Sequence, residues 1–303
     1  MKHIFVINPA AGKTDASAEI QAKLKDFSSS FDISFYETES HGDATGYVRS
    51  VCESTAEPVR FYACGGDGTL NEVVNGAVGF THASVGCYPC GSGNDFVKYY
   101  GGSARFLDLG AQLNAREEEI DLIRVGERYA INATHFGFDS CVASVMNDVR
   151  HKKIIGGRNA YKTGVIVALV KAMKNDCAVV ADGKLLNPKG KILLCTIANG
   201  QYVGGSYKCA PRSSNKDGLL EVCLVHPLSR FTFVRLMNDY KNGTHLDNPK
   251  FDSHIVYCRA SSVSVTAPDG FVYSMDGELY GQSQFTVEAV PRAIRFAVPE
   301  LQK

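Results

Sequence analysis

The chain has 303 residues, of which 45% are hydrophobic and 21% are charged, and its 32 basic and 32 acidic residues give a formal net charge of zero. This composition is that of an ordinary globular protein of roughly two domains. A zero net charge excludes a bulk attraction to nucleic acid or to an anionic membrane, so any membrane contact must come from a local patch.

The first 120 residues alternate short apolar runs with helical patterns. Strands are predicted at residues 3–7, 33–36, 59–64 and 84–88, and a helical pattern with one apolar face follows each of the first three. Such alternation is typical of crossover units, so we predict an α/β domain at 1–120 with a Rossmann-like, mainly parallel sheet covered by helices.

The pattern changes from about residue 120, where strands come closer together and Asp-Gly turn signals multiply. Apolar runs at 192–198, 219–225, 263–267 and 285–289 are typical of an antiparallel sandwich, which two helical stretches at 141–149 and 160–174 interrupt. We therefore predict a β-sandwich domain at 121–290 and a C-terminal segment, 291–303, that returns to the first domain.

Three glycine-containing loops follow predicted strands of the first domain. The strongest signal is the loop that contains Gly65, Gly66 and Gly68, because glycines allow positive φ and a close backbone approach. Amides there and at the next helix N-terminus can bind a polyphosphate, and Thr69 is expected to cap that helix. The alternative is a structural glycine-rich turn.

Two further loops resemble this one in position. Asn8 to Lys13 follows the first strand and offers a lysine for phosphate, and the segment from Gly91 to Asp95 follows the fourth. Parallel strands put such loops at the carboxyl edge of the sheet, where open α/β sheets bind ligands. Neither the dinucleotide fingerprint nor the Walker A pattern is present, which argues against a dehydrogenase and a P-loop NTPase.

These motifs, with Ala-Pro at 210–211, Asp-Gly-Leu at 217–219 and Met-Asp-Gly-Glu at 275–278, resemble the bacterial diacylglycerol kinases, relatives of diacylglycerol, sphingosine and ceramide kinases. The resemblance covers essentially the whole chain, and it implies that the first domain binds ATP. The residues it places at the ATP site are Asn8, Pro9, Ala10, Ala11, Gly12, Lys13, Thr38, Gly65, Gly66, Asp67, Gly68, Thr69, Leu70, Asn71 and Ser92.

The resemblance also implies a magnesium ion and a set of catalytic carboxylates. Asp217, with backbone oxygens of Ser214 and Leu219, would hold Mg²⁺, which prefers hard oxygen ligands. Without the resemblance, Asp217 belongs to a plain Asp-Gly turn.

The resemblance implies roles in phosphoryl transfer for four acidic residues. Asp67 would assist catalytic magnesium, Asp276 or Glu278 would accept the hydroxyl proton, and Asp121 would lie near the site. From the residues alone, the segment 275–278 is a hairpin turn and Asp121 is a carboxylate at the start of a strand.

The sequence predicts a cytoplasmic enzyme of lipid metabolism and phospholipid biosynthesis that meets its lipid at the inner face of a membrane. The start of the chain lacks the features of a signal peptide, and no apolar run approaches the roughly 20 residues that span a bilayer. A basic stretch at 150–174 beside an apolar run is expected to lie on the membrane surface, although most charge runs are solvated faces. A homodimer is left open.

The favoured hypothesis is an ATP-dependent lipid kinase that phosphorylates a hydroxyl such as that of diacylglycerol. The alternatives are a soluble-metabolite kinase, for example one that phosphorylates NAD, and a non-catalytic module that binds a nucleotide or a lipid. The segments at 8–12, 217–219 and 275–278 argue against the NAD kinase, and the presence of the expected glycines and acids argues against the inactive module.

Overall fold

The structure is a computed structural model that describes residues 1–12, 15–149 and 160–300. The chain forms two compact units. Unit 1 consists of Met1–Leu122, Asn215–Asp217 and Val290–Lys303, and unit 2 consists of Ile123–Ser214 and Gly218–Ala289.

Unit 1 alternates strands and helices from its first residues. In chain order its elements are β1 (Lys2–Ile7), α1 (Ser17–Leu24), β2 (Asp32–Glu37), α2 (Asp43–Ser54), β3 (Val59–Gly65), α3 (Asp67–Ala77), β4 (Ala83–Pro89), α4 (Leu109–Leu113) and β5 (Arg116–Val125), whose last residues belong to unit 2. Short 3-10 turns cover Lys25–Phe27, Phe96–Tyr100 and Ser103–Phe106.

The sheet of unit 1 is parallel, with the strand order β4-β3-β1-β2. Strands β3 and β4 are buried along their whole length, as expected for strands covered on both faces. One core cluster packs Phe5 and Tyr62 of the sheet against Ile20 and Leu24 of α1. The apolar face that the sequence predicts for this helix is therefore buried.

Unit 2 is built mainly of antiparallel strands. Its elements are β6 (Arg128–Ala130), β7 (Ala133–Gly137), α5 (Phe138–Val149), α6 (Ala160–Lys171), β8 (Asn175–Asp176), β9 (Ala178–Ala181), β10 (Lys184–Leu185), β11 (Lys191–Ile192), β12 (Leu194–Ala198), β13 (Leu220–Val225), α7 (Arg230–Asn242), β14 (Ile255–Ala260), β15 (Ser262–Thr266), β16 (Val272–Met275), β17 (Glu278–Gly281) and β18 (Gln284–Val298). The end of β18 lies in unit 1, where Arg295 and Phe296 pair in parallel with β4.

Two sheets enclose the core of unit 2. One has the order β14-β13-β12-β7-β16-β17, and the other contains β10, β9, β15 and the first part of β18. Phe136, Ile197 and Tyr273 from the first sheet pack with Val263 and Phe285 from the second. A separate cluster packs helices α5, α6 and α7 on the other face of the six-stranded sheet.

The predicted fold class is confirmed, since unit 1 has the parallel sheet and unit 2 the antiparallel sandwich. Two local expectations need correction. Helix α7 was not predicted, and Thr69 does not cap α3, because that helix begins at Asp67 with Gly66 in the N-cap position. Across the described part of the chain, the helices lack the length and apolar character needed to cross a bilayer.

Candidate functional site

The carboxyl ends of the parallel strands bring the glycine-containing loops together. Ile7 at the end of β1 is in register with Cys64 on β3, and Gly65 is in register with Pro89 on β4. The loops that begin at Asn8, Gly66 and Cys90 therefore leave neighbouring strands at one edge of the sheet of unit 1. The geometry matches the ligand-binding edge of an open α/β sheet.

Asp67 joins the second loop to the third. Its Oδ1 atom accepts hydrogen bonds from the backbone amides of Asp95, at 2.7 Å, and Phe96, at 3.2 Å. A Cβ atom added to Gly93 would lie 2.9 Å from Asp67 Oδ2. The carboxylate thus holds the loop between Gly91 and Phe96 against the start of α3.

The two loops also approach each other through their glycines. A Cβ atom on Gly91 would lie only 2.4 Å from the Cα atom of Gly66, and the backbone amides of Cys90 and Gly91 both donate to the carbonyl oxygen of Gly65. A side chain at position 91 would therefore force two backbones apart. The glycine at 91 is a packing requirement as well as a candidate phosphate contact.

The first loop is tied to the second by Asn8. Its side-chain amide donates to Thr69 Oγ1 over 3.1 Å, its Oδ1 accepts from the amide of Ala10, and its backbone amide donates to the carbonyl oxygen of Cys64. Thr69 is buried and covers Gly65, where an added Cβ would lie 2.2 Å from the threonine Oγ1. Thr69 therefore links two loops instead of capping the helix.

Thr38 lies at the same edge, because its amide donates to the carbonyl oxygen of Ile7 directly after β2. Sequence reasoning missed Glu72, which fixes the next segment. The Glu72 carboxylate accepts from the amides of Gly42, at 2.9 Å, and Ala44, at 3.2 Å, and so binds the N-terminus of α2 to α3. Its position in the second turn of α3, in the same motif as Asp67, was the available signal.

The electrostatics of this edge favour an anion. The 11-residue helix α3 begins at Asp67, and the N-terminus of a helix carries partial positive charge and amides without partners inside the helix. Gly68, in the first turn, is exposed, and a Cβ there would meet nothing within 4 Å. Ser92 is also exposed in the third loop, whereas Leu70 is buried and so offers its backbone, not its side chain.

In unit 2, Asp276 occupies the turn between β16 and β17 with φ of +46°. Its carboxylate accepts hydrogen bonds from three successive amides, those of Ile131, Asn132 and Ala133, at 2.7 to 3.1 Å. Glu278 is the first residue of β17 and is half-buried. The hydrogen bonds of Asp276 show that its carboxylate helps to hold the turn in place, and the role of Asp276 or Glu278 as proton acceptor stays a prediction.

Asp121 is buried in the part of β5 that belongs to unit 1. Its Oδ1 atom accepts from the amide of Arg292 over 2.9 Å, and its own amide donates to the carbonyl oxygen of Asn215 over 2.8 Å. Asn215 in turn donates to the hydroxyl group of Tyr100. Asp121 therefore fastens separate segments of unit 1 to one another, and its catalytic role stays a prediction.

The predicted magnesium ligands lie in the segment before β13. Asp217 is exposed, while Ser214 and Leu219 are half-buried. Within the described residues no cluster of three or more His, Cys, Asp or Glu side chains could hold a metal ion. The predicted set uses one carboxylate and two carbonyl oxygens, hard donors that suit Mg²⁺, so this site is kept as a proposal.

Some predicted residues lie outside the part of the chain that the structure describes. They are Lys13 of the first loop and residues 150–159 of the basic stretch, while Lys171 and Lys174 at the end of that stretch are described and exposed. The phosphate contact expected of Lys13 stays a prediction.

Two family models together match almost the whole chain. The model described as the diacylglycerol kinase catalytic domain matches residues 2–125, and the model described as the YegS C-terminal NAD kinase beta sandwich-like domain matches residues 132–298. The chain therefore belongs to the diacylglycerol kinase and YegS-like lipid kinase family, as its motifs predict.

Individual relatives agree with this assignment. The chain is 27% identical to a diacylglycerol kinase from Bacillus subtilis over 301 residues, which cover 98% of this chain and 96% of the relative. It is 27% identical to a protein from Yersinia enterocolitica named "probable lipid kinase YegS-like", over 85% of this chain and 84% of that one. A crystal structure of a diacylglycerol kinase from Bacillus anthracis has the same fold, with a TM-score of 0.71, 18% identity and coverage of 98% and 96%.

Proposed function

We propose that the chain is an ATP-dependent lipid kinase that transfers the γ-phosphate of ATP to the hydroxyl group of a lipid such as diacylglycerol. The observation that carries this proposal is the loop edge of unit 1, where Asp67, Asn8 and the Gly66–Gly91 contact hold three loops together beside the N-terminus of α3. Family membership adds the class of acceptor, because its named relatives are lipid kinases.

In this proposal, the loops supply backbone amides for the phosphates of ATP. Charge-assisted hydrogen bonds contribute about 1.5–3 kcal/mol each, so a few of them suffice to hold a nucleotide. Asp67 acts by position, because its Oδ1 already serves the amides of Asp95 and Phe96 and so fixes the two loops relative to each other. Holding the phosphates still is itself a large part of phosphoryl-transfer catalysis.

The transfer forms a bond between the lipid hydroxyl oxygen and the γ-phosphorus and breaks the bond to the oxygen that bridges the β- and γ-phosphates. ADP leaves, and Glu278 takes the hydroxyl proton. Magnesium, when bound, neutralises charge on the phosphates. Asp217 with the carbonyl oxygens of Ser214 and Leu219 would hold a further Mg²⁺, and Asp121 would maintain the packing near the site.

The test is transfer of labelled γ-phosphate from ATP to diacylglycerol and related lipids in mixed micelles, with NAD as a second acceptor. We expect transfer to a lipid, and we expect Glu278→Gln to lower kcat roughly 100-fold or more, as loss of a general base does. Glu127→Gln, which changes an exposed carboxylate of the same unit, should leave kcat unchanged.

Two results would contradict the proposal. Transfer to NAD without transfer to any lipid would make the chain a metabolite kinase. Binding of ATP without transfer to either class of acceptor would make it a non-catalytic module.

A further inference from the structure

Exposed apolar side chains are concentrated on two neighbouring helices of unit 2. Among the described residues, eight large hydrophobic side chains are exposed, and four of them lie on α6 and α7: Ile166, Val170, Phe231 and Val234. Their exposed fractions are 63%, 69%, 67% and 62%, higher than those of the other four. A cluster of this kind on a globular protein usually marks an interaction site.

A direct contact joins the end of α6 to the start of α7. The Arg230 guanidinium, at the start of α7, donates from Nε to the carbonyl oxygen of Leu169 on α6 over 2.8 Å. Val170 and Phe231 are the next residues along each helix, and Ile166 and Val234 lie within one turn of the contact. On the inner side, Ala168 packs in one core cluster with Phe233 and Leu236, so the exposed residues lie on the outward sides.

The outward face of α7 carries apolar, polar and basic residues. Positions 231, 234, 235, 238 and 241 are exposed and follow helical spacing. They comprise Phe231 and Val234 together with Arg235, Asn238 and Lys241, and no acidic residue. The one acid of this helix, Asp239, is half-buried and accepts from Asn248.

Basic residues surround the apolar group on both helices. Lys171, the last residue of α6, and Lys174, three residues beyond the helix, are exposed, and Arg230 and Arg235 flank Phe231. The guanidinium carbon of Arg235 lies 4.1 Å from the centre of the Phe231 ring. A cation held on an exposed ring suits a surface where the ring enters the acyl region and the charge stays with the headgroups.

We propose that this surface, formed by Ile166 and Val170 of α6 and by Phe231, Val234 and Arg235 of α7, docks the protein on an anionic lipid bilayer. An apolar helix face that carries only positive charge matches the interior and the surface of such a bilayer. A second copy of the chain fits less well, because a two-fold interface would bring two sets of cations together. The proposal rests on the lipid kinase function, whose acceptor is presented at a membrane.

The test measures binding of the full chain to vesicles by co-sedimentation. It compares neutral vesicles of phosphatidylcholine with anionic vesicles that contain about one third phosphatidylglycerol. The double variant Phe231→Ser/Val234→Ser should lower the vesicle partition coefficient about tenfold or more, from lost apolar burial. Arg235→Gln should lower it about fivefold on anionic vesicles and leave it unchanged on neutral ones. The matched control Leu107→Ser/Leu185→Ser removes two exposed apolar side chains elsewhere and should bind like the unmodified protein.

A second measurement separates docking from catalysis. Phosphorylation of a short-chain diacylglycerol below its micelle concentration should be equal in the double variant and the unmodified protein, since that substrate needs no bilayer. If no lipid is phosphorylated but vesicle binding still depends on Phe231 and Val234, docking stands and the kinase function fails. Docking is overturned if the double variant binds vesicles as well as the unmodified protein, or if its main effect is to turn a dimer into a monomer.

Discussion

Asp139, at the start of α5, has a carboxyl group with one buried oxygen atom. The residue is half-buried, but its Oδ2 atom is inaccessible to solvent and has no hydrogen-bond partner within the described residues. Burial raises the pKa of this carboxyl group to about 7. The folded protein therefore favours the neutral acid, as expected for a carboxyl group without compensating partners.

The raised pKa predicts a pH-dependent stability. Between about pH 4 and pH 7 the folded state binds a proton that the unfolded state has released, so stability due to this group is complete below about pH 4 and is lost as the pH rises through 7. Asp139→Asn removes the charge with little change of shape. In urea unfolding at pH 8, we expect the free energy of unfolding of the Asp139→Asn variant to be higher than that of the unmodified protein by about 1–3 kcal/mol. This difference should become smaller towards pH 5.

Asp148→Asn is the matched control for this experiment, since Asp148 is exposed on the same helix. It should unfold like the unmodified protein at both pH values. A stability difference for Asp139→Asn that is the same at pH 5 and pH 8 would contradict the account of the buried acid.

Single residues also show where sequence reasoning ends. The motif identified Asp67 as a functional residue, but its partners, the amides of Asp95 and Phe96, lie 28 and 29 positions away. The same holds for Asp276, whose partners at Ile131 to Ala133 are more than 140 positions away. A local pattern names the residue type that a loop needs, whereas tertiary folding decides which oxygen atoms are already engaged.

Helices α2 and α3 pack closely at a glycine. A Cβ atom added to Gly76 of α3 would lie 2.7 Å from Cβ of Val48 and 2.8 Å from the carbonyl oxygen of Thr45, both on α2. Gly46, in the interior of α2, is exposed, and an added Cβ there would meet nothing within 4 Å. The two positions form a natural pair for comparison.

Alanine should have opposite effects at these two positions. Gly46→Ala should raise the free energy of unfolding by about 0.5–1 kcal/mol, because alanine is the better helix former. Gly76→Ala should lower it by about 1–3 kcal/mol, since the methyl group would push α2 away from α3. Urea unfolding of both variants measures these changes in the free energy of unfolding. Changes of the same sign and size would show that α2 and α3 do not approach closely at Gly76.

Element prediction succeeded where the apolar period was clear. The strands β1 to β4 lie within one residue of their predicted bounds. In β3 and β4 a continuous buried run stands between turn signals, whereas the residues of β2 are half-buried or exposed. Helix α7 was missed although Ser229 caps its N-terminus, Gly243 ends it, and Phe233, Leu236 and Tyr240 have helical spacing. Its exposed Phe231 and Val234 blurred the amphipathic pattern, which is the same feature that supports membrane docking.

At the scale of the whole molecule, the fold class followed from the change of strand pattern near residue 120. The sequence also predicts that segment 291–303 returns to the first domain, but the run at 285–289 gave no sign that a single strand, β18, continues to Val298. Parallel pairing of Arg295 and Phe296 with β4 joins residues more than 200 positions apart, and only the folded chain shows it. The ordering of the glycine loops along one edge, in contrast, follows directly from parallel pairing.

The most direct test of the central claim, that these loops bind the phosphates of ATP, is titration of the full chain with ATP and magnesium in a calorimeter. We expect saturable binding by the unmodified protein and by Gly46→Ala. Gly91→Ala should bind at least tenfold more weakly, because its Cβ would separate the second and third loops at Gly66. The claim would be contradicted if the unmodified protein did not bind ATP, or if a folded Gly91→Ala variant bound ATP with the same affinity as the unmodified protein.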